Sequence, residues 1–207
     1  MTSEKPYNPL DKTHLSESVV NALLRQTVVP LQGIPRFNGA GLYLIYYSGE
    51  NKPFAPYDRI ADLNRNNAFT HPIYAGKAVP AGGRRGTIDT DGSLGFALWS
   101  RLTEHSDTIR SVSNLSISDF WARFLVVDDT WIGHGEGLLL RHFRPIWNQV
   151  LDGFGNHDPG SGRYNQRRSP WDTVHPGRAW AFRCADHPKS SEQMLVEIET
   201  YVPNISI

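Results

Sequence analysis

The chain has 207 residues, of which 39% are hydrophobic and 11% aromatic, a composition that builds a packed core and excludes a disordered protein. Its formal net charge is zero, which is atypical of proteins that coat nucleic acid without specificity, although local basic patches remain compatible with DNA binding. Cys184 is the only cysteine, so an intrachain disulfide and a cysteine-based zinc site are both excluded.

The N-terminal segment indicates where the protein resides. Residues 1–11 are polar and lack the apolar run of a signal peptide, and no stretch of the chain approaches the ~18 apolar residues of a transmembrane helix. Together with the single cysteine, this pattern predicts a cytoplasmic protein that makes no contact with a membrane. The length predicts a single α/β domain over residues 1–207.

The first third of the chain predicts one helix and two strands. An apolar stripe over Thr13–Gln26 predicts a helix, with Ser16 as its N-cap. The runs Leu42–Tyr47 and Ile73–Ala78 are short and rich in branched and aromatic residues, as strands are. The polar segment Ser48–Thr70 between them is interpreted as an insertion.

The middle of the chain continues with alternating helices and strands. Val79–Gly92 is predicted to be a flexible, basic loop because it is rich in glycine and arginine. Helices are predicted at Leu94–Arg110 and Gly135–Phe143, and a third strand at Asp119–Val127. The order of elements predicts a small three-stranded sheet flanked by helices.

The last quarter of the chain lacks clear periodicity until its final helix. Gly153–Arg178 is dense in Gly, Asn, Pro, Arg and Trp, and a loop of this length in a compact protein is usually functional or disordered. Its tryptophans favour an ordered loop. Ser190–Tyr201 is predicted to close the chain as a helix, with apolar residues on one side.

Chemistry-bearing residues occur in a fixed order along these elements. The first predicted strand carries the tripeptide Gly41–Tyr43, and the second carries Tyr74–Gly76. Each tripeptide alone is a weak signal, because strand propensity explains a tyrosine in a sheet. The polar residues that follow them on the next elements, in chain order, are Arg101, His105, Glu136 and Asn148.

This order of motifs resembles the core of GIY-YIG nucleases, with Leu42 and Ala75 in place of the two signature isoleucines. The resemblance places the core at about residues 39–148 and a DNA-recognition extension at about residues 150–183. The blocks 156–160 and 175–178 resemble the branch of type II restriction enzymes that cuts the palindrome CCGCGG. The long separation of Tyr43 and Tyr74 departs from the minimal family core. His105 replaces the tyrosine of many homing members.

The resemblance implies a Mg²⁺-dependent deoxyribonuclease, with Mn²⁺ as a substitute metal. A single carboxylate, Glu136, would hold the hard cation, which usually keeps several of its waters. Arg101 would clamp phosphate oxygens in bidentate fashion. Tyr43 would position or deprotonate the attacking water, and Tyr74 would fix the water or the phosphate.

Two site residues are assigned less narrowly. Ionising an ordinary tyrosine at pH 7 costs roughly 4 kcal/mol, so Tyr43 needs the cation, Arg101 or Lys77 nearby, or must transfer its proton to His105. Asn148 would orient either the phosphate or the packing of strand against helix. The residues expected to contact DNA through phosphates or base edges are Lys77, Arg84, Arg85, Arg163, Gln166, Arg167, Arg168 and Arg178.

Two alternatives stay open at this stage. The first is a homing- or repair-type nuclease of the same family, and the second is a noncatalytic DNA-binding protein that keeps the fold. A palindromic target implies double-stranded DNA as the partner and a homodimer, at least on DNA. The expected products carry a 5′ phosphate and a 3′ hydroxyl.

Overall fold

The computed structural model describes residues 8, 11–50, 54–79 and 95–202, and every structural statement below concerns these residues. Most of the loop predicted at Val79–Gly92 lies outside the described residues. Arg84 and Arg85, which are expected to contact DNA, belong to that part of the loop.

A mixed α/β architecture is confirmed, but the described sheet has four strands rather than the predicted three. The strands are β1 (Val29–Pro30), β2 (Gly41–Tyr47), β3 (Tyr74–Ala78) and β4 (Phe120–Val126), arranged in the order β1-β4-β2-β3. Every neighbouring pair is antiparallel. The sequence did not predict β1, because two residues, one of them a proline, are too few to show an alternating pattern.

Strand β2 lies inside the sheet and is buried along its whole length. Successive side chains of a strand point to opposite faces, so β2 contributes to two separate apolar cores. One core contains Tyr43, Ile45 and Tyr47, and the other contains Leu42, Leu44 and Tyr46. The sheet is therefore covered on both faces.

Helices α1 and α4 cover the face of β2 that carries Leu42 and Leu44. The opposite face is covered by α3, together with short helices from the insertion and from the C-terminal extension. The seven α-helices of the described residues are α1 (Lys12–Leu24), α2 (Asp58–Asp62), α3 (Ala97–Ser111), α4 (Asp129–Phe143), α5 (Ile146–Gln149), α6 (Pro170–Val174) and α7 (Ser191–Tyr201). None of these helices has the length and apolar content needed to cross a membrane.

The beginning of α1 corrects the predicted cap. Asp11 is the N-cap, and its carboxylate accepts a hydrogen bond from the backbone of Thr13. Ser16 lies one turn inside the helix, where its hydroxyl donates to the carbonyl of Lys12. Aspartate and serine are both favoured N-caps, and the first of the two along the chain is the one that caps this helix.

The beginning of α4 corrects a second prediction. The helix starts at Asp129, six residues before the predicted Gly135, with Asp128 as its N-cap. Glu136 therefore lies in the third turn of the helix and not at its first turn. Gly135 hid the part of this helix that precedes it in the sequence, and the structure explains the glycine: a Cβ at this position would lie 2.4 Å from a methyl of Leu42. The glycine allows α4 to pack closely on the sheet.

Candidate active site

A cavity of about 480 Å³ lies beside β3, lined by residues of α3, α4, the two strands β2 and β3, and the extension. The cavity brings together four residues that the sequence placed on four different elements: Tyr43, Tyr74, Arg101 and Glu136. The remaining titratable residues of its wall are Lys77, Glu104 and His157.

Strand pairing determines which face of the sheet carries the two tyrosines of the motifs. Tyr43 pairs with Gly76, and Tyr74 pairs with Ile45, so both tyrosines belong to the same face of the sheet. A Cβ on Gly76 would lie 2.4 Å from the hydroxyl of Tyr43. The glycine of the second motif therefore makes room for the phenol of the first.

Tyr43 forms a buried hydrogen bond with His105, with 2.7 Å between Oη and Nε2. Burial and the neighbouring Tyr74 raise the pKa of Tyr43 well above its usual value. Burial and the neighbouring charge of Arg101 hold the pKa of His105 well below its usual value. Both side chains are therefore uncharged at neutral pH, and with hydrogen on Nδ1 of His105 the phenol donates to Nε2.

Arg101 extends from α3 into the cavity and contacts the extension there. Its Nη2 donates to the carbonyl of Gly155 at 2.7 Å, and its Nη1 lies 2.7 Å from Nε2 of His157. The same Nη1 donates to Glu104 at 3.0 Å. Without substrate, the fork of Arg101 is therefore held by a carboxylate, an imidazole and a backbone carbonyl.

Two of the titratable residues in the cavity wall, Glu104 and His157, were not predicted as site residues from the sequence. Glu104 carried a signal, because its position three residues after Arg101 places it on the same face of α3. His157 carried no such signal: it follows Phe154 and Gly155 in a segment without periodicity, and only tertiary folding brings it to Arg101. The extension therefore supplies part of the wall of the cavity.

Glu136 reaches the cavity from α4 and pairs with Lys77 of β3, with 2.8 Å between Oε2 and Nζ. The two side chains are 23% and 40% exposed, so the carboxylate is accessible to a cation. The described residues contain no cluster of three or more His, Cys, Asp or Glu side chains that could hold a metal. A lone carboxylate still suits Mg²⁺, which usually binds one or two carboxylates, several waters and substrate phosphates.

The side chain of Asn148 binds the backbone of β3 and does not line the cavity. Its Oδ1 accepts from the backbone N–H of Ala75 at 2.9 Å, and its Nδ2 donates to the carbonyl of the same residue at 3.0 Å. The amide therefore completes the free edge of β3 at the residue after Tyr74. Of the two roles expected for Asn148, the structure supports strand packing.

Arg178 was expected to contact DNA, and the structure corrects this expectation. Its side chain is 5% exposed, and its fork forms a bidentate ion pair with the buried carboxylate of Asp172 at 2.6 Å. Its other donors bind the carbonyls of Gly153, Phe154 and Asn156. All five N–H donors of the guanidinium are used, so none is available to a base or a phosphate.

The other residues expected to contact DNA lie in different surroundings. Arg163, Gln166 and Arg167 are exposed. Arg168 is only 20% exposed, pairs with Asp186, and donates to a backbone carbonyl. These positions are compatible with a DNA-facing surface for the exposed members, whereas Arg168 is partly committed to the fold.

An unpredicted arginine joins this exposed group. The segment containing Arg183 runs beside that of Gln166, because the backbone N–H of Ala185 donates to the carbonyl of Gln166. The guanidinium of Arg183 lies 3.7 Å from the ring centre of Tyr164, a cation–π contact that orients the exposed side chain. No pattern in the sequence predicts a contact between residues 183 and 164.

Residues 35–202 match the family model described as the Eco29kI GIY-YIG domain. No curated protein matches the chain. The matched range contains both tyrosine-bearing strands, the helices of Arg101 and Glu136, and the whole extension that carries His157 and Arg178.

Proposed function

The chain belongs to the family of the Eco29kI GIY-YIG domain and is a nuclease, and from this premise we propose that it is a type II restriction endonuclease. Its proposed substrate is double-stranded DNA with a short GC-rich palindrome, and CCGCGG is the first sequence to test. The observation that carries the proposal is the convergence of Tyr43, Tyr74, Arg101 and Glu136 on one cavity.

The proposed cofactor is Mg²⁺, or Mn²⁺ in its place, held by the carboxylate of Glu136. Bound there, the ion would stabilise negative charge on the phosphate and on the leaving oxygen. In the structure the ammonium of Lys77 forms an ion pair with this carboxylate. Binding of the metal ion would release the ammonium toward the DNA. Lys77 is therefore kept among the residues proposed to contact phosphate.

Arg101 is proposed to bind the scissile phosphate. A planar guanidinium matches two phosphate oxygens, and it stays charged at any pH that the fold survives. In the absence of DNA, the carboxylate of Glu104 accepts a hydrogen bond from Nη1 of Arg101. A phosphate oxygen would replace this carboxylate as the acceptor. Tyr74, whose ring lies at the same wall, would orient the phosphate or the attacking water through its hydroxyl.

Tyr43 is proposed to orient the attacking water and to relay its proton. Its raised pKa opposes a standing tyrosinate, so the proton must leave as the new bond forms. As water attacks phosphorus, its proton passes to the phenol oxygen, and the phenol proton passes to Nε2 of His105. As the new P–O bond forms, the bond from phosphorus to the 3′ oxygen breaks, and the leaving oxygen takes a proton from solvent water. The products are a 5′ phosphate and a 3′ hydroxyl, and His105 is left protonated until it releases its proton to solvent.

DNA contact is assigned to Lys77 of β3, to polar and cationic residues of the extension, and to Arg84 and Arg85, which lie outside the described residues. Arginine reads guanine through two parallel hydrogen bonds in the major groove, which suits a GC-rich target. A palindrome read by one active site per chain requires a homodimer on DNA. The proposed contact residues are Lys77, Arg84, Arg85, Arg163, Gln166, Arg167, Arg168 and the added Arg183.

Digestion of plasmid DNA tests the proposed activity. We expect discrete fragments with Mg²⁺ and none with EDTA, and we expect Glu136→Gln to cut about 10³-fold more slowly while it still binds DNA. Glu197→Gln is the matched control, because Glu197 is another helix carboxylate paired with a lysine, far along the chain on α7. Diffuse nicking would favour a homing- or repair-type enzyme, and binding without cleavage would favour a noncatalytic protein.

The recognition surface has its own test. Arg183→Ala should weaken binding to the cognate duplex by about 5- to 150-fold, equivalent to roughly 1–3 kcal/mol, if the residue contacts a base. Arg110→Ala, an exposed arginine on α3, is the control. Cleavage selected from a randomised site would show one relaxed position. Equal losses on all duplexes would instead assign Arg183 to phosphate.

A further inference from the structure

We propose that Arg178 is a positioning residue for catalysis, which aims the carbonyl of Gly155 at Arg101 and holds the ring of Phe154 against His105. The inference rests on the proposed nuclease function, because it concerns how that active site is assembled. It assigns a role in the reaction to a residue that is buried and does not line the cavity.

Arg178 lies at the centre of the extension. Its guanidinium contacts two indoles, 4.8 Å from the ring centre of Trp171 and 4.7 Å from that of Trp180. Asp172 neutralises it with two short hydrogen bonds, and Ser169 donates a further bond to the same carboxylate. A buried charge in this setting is held in one orientation, because each donor has one acceptor.

The carbonyls of residues 153–156 divide between two arginines. Arg178 takes those of Gly153, Phe154 and Asn156, at 2.9, 3.2 and 2.9 Å. The carbonyl left over is that of Gly155, and it accepts from Nη2 of Arg101 at 2.7 Å. Arg178 therefore fixes the backbone on both sides of the one carbonyl that holds the phosphate-binding arginine.

The side chains of the same segment also contact the active site. Phe154 stacks on His105 with 4.5 Å between ring centres and an interplanar angle of 15°. Its ring also meets Tyr74 edge-on at 5.0 Å. Gly155 approaches so closely that a Cβ would lie 2.8 Å from the hydroxyl of Tyr74 and 2.9 Å from Nη2 of Arg101. A small shift of this segment would therefore move three site residues.

Lysine cannot replace this arginine. Its ammonium has three donors on a point charge, whereas five acceptors now surround a planar fork. At least two of these acceptors would lose the hydrogen bond that they receive from residue 178. A misplacement of a catalytic group by about 1 Å costs up to about 10²-fold in rate.

The first experiment compares Arg178→Lys with Arg65→Lys. Arg65 is a matched control, because it also binds a loop carbonyl, that of Gly49, and a carboxylate, Asp62, outside the cavity. Folded fractions are measured by circular dichroism, and cleavage is followed in single turnover with saturating enzyme. We expect Arg178→Lys to cut about 10- to 100-fold more slowly with DNA affinity in EDTA unchanged, and Arg65→Lys to cut at the wild-type rate.

Two results of this experiment would overturn the proposal. The first is wild-type cleavage by folded Arg178→Lys, which would reduce the residue to a stabilising role. The second is a loss of DNA affinity with the cleavage rate unchanged, which would return Arg178 to the DNA-contacting set.

A second experiment uses Phe154→Leu and does not require cleavage. Replacing the stacked ring with a smaller side chain admits water to His105, so NMR titration of the imidazole should show its pKa rising by about one unit or more. Arg178→Lys, where folded, should shift it in the same direction. The titratable and charged groups that face this imidazole are Tyr43, Tyr74, Arg101, His157 and Arg178.

The NMR result separates this inference from the proposed function. If the wild-type protein cuts no DNA, the nuclease proposal fails, while the shift of the His105 resonance still tests whether the segment shields the site. An unchanged titration curve in Phe154→Leu would overturn the positioning role, whatever the cleavage assay shows.

Discussion

Two buried tyrosine–histidine pairs lie on the same side of the sheet and differ little in their own geometry. Tyr43 and His105 are joined at 2.7 Å, and Tyr57 and His175 at 2.6 Å, in both cases between Oη and Nε2. Burial lowers the pKa of both histidines, that of His175 to about 3, and raises the pKa of both tyrosines. Neither the hydrogen bond nor the burial distinguishes the pair that we propose to take part in the reaction.

The surroundings separate the two pairs. The hydroxyl of Tyr57 also accepts from Nε1 of Trp147 at 2.9 Å, and Nδ1 of His175 lies 2.9 Å from Oδ1 of Asn114. The second pair is therefore closed within the core. Tyr43 instead lines a cavity with Arg101 and a carboxylate. The same bond stabilises the fold where it is enclosed and is available for chemistry where charged groups and water can reach it.

The largest expected difference comes from removing each phenol hydroxyl. Tyr43→Phe should slow cleavage by about 10²- to 10⁴-fold, the usual contribution of a group that moves a proton. Tyr57→Phe should cut at the wild-type rate but unfold more easily by about 1–3 kcal/mol, because His175 and Trp147 each lose a buried partner. Single-turnover cleavage and urea unfolding of both variants measure this contrast. Slow cleavage by Tyr57→Phe would show that the enclosed pair also takes part in the reaction.

The enclosed pair should also give the fold a measurable dependence on pH. Unfolded His175 binds a proton below about pH 6.5, whereas the folded residue does so only near pH 3. As the pH falls between these values, the unfolded state gains protons first, so the free energy of unfolding falls by about 1.4 kcal/mol per pH unit from this residue. His175→Gln should remove that part of the slope. Urea titrations of both proteins at pH 5, 6 and 7 measure it, and parallel lines would contradict the assignment.

The sequence predicted the elements that carry strong local signals. The three longer strands, and the placement of Tyr43 and Tyr74 on strands and of Arg101 on a helix, follow from strand composition and helical spacing. The choice of these three as site residues came from the resemblance to GIY-YIG nucleases. The signals of composition and spacing are local and repeat along the chain. β1 was missed for the opposite reason, since a two-residue strand exists only through its pairing with β4.

The sequence could not show which arginines of the extension are exposed and which are buried. Arg163 and Arg178 have similar neighbours in the chain, yet one is exposed and the other is buried against Asp172. That difference depends on two tryptophans and a carboxylate that only folding brings together. The same limit applies to His157, which reaches Arg101 from 56 residues away.

The smallest expected effect tests whether the two pairs are independent. They are joined by a continuous set of rings: His105 stacks on Phe154, Phe154 meets Trp147 at 4.4 Å, and Trp147 meets His175 at 5.9 Å. Asn114→Ala removes the acceptor of His175 and a bond to the carbonyl of Val174, so it should destabilise the fold by about 1–2 kcal/mol.

Cleavage by folded Asn114→Ala decides between independence and coupling. Packed aromatic rings resist continuous deformation, so a change of about 1 kcal/mol at His175 should be absorbed locally and leave the single-turnover rate within about twofold of wild type. Asn114 does not line the cavity that contains Tyr43 and Arg101. A rate loss that follows the lost stability would mean that the rings transmit the disturbance to His105, and the enclosed pair would then act as a support for the reactive one.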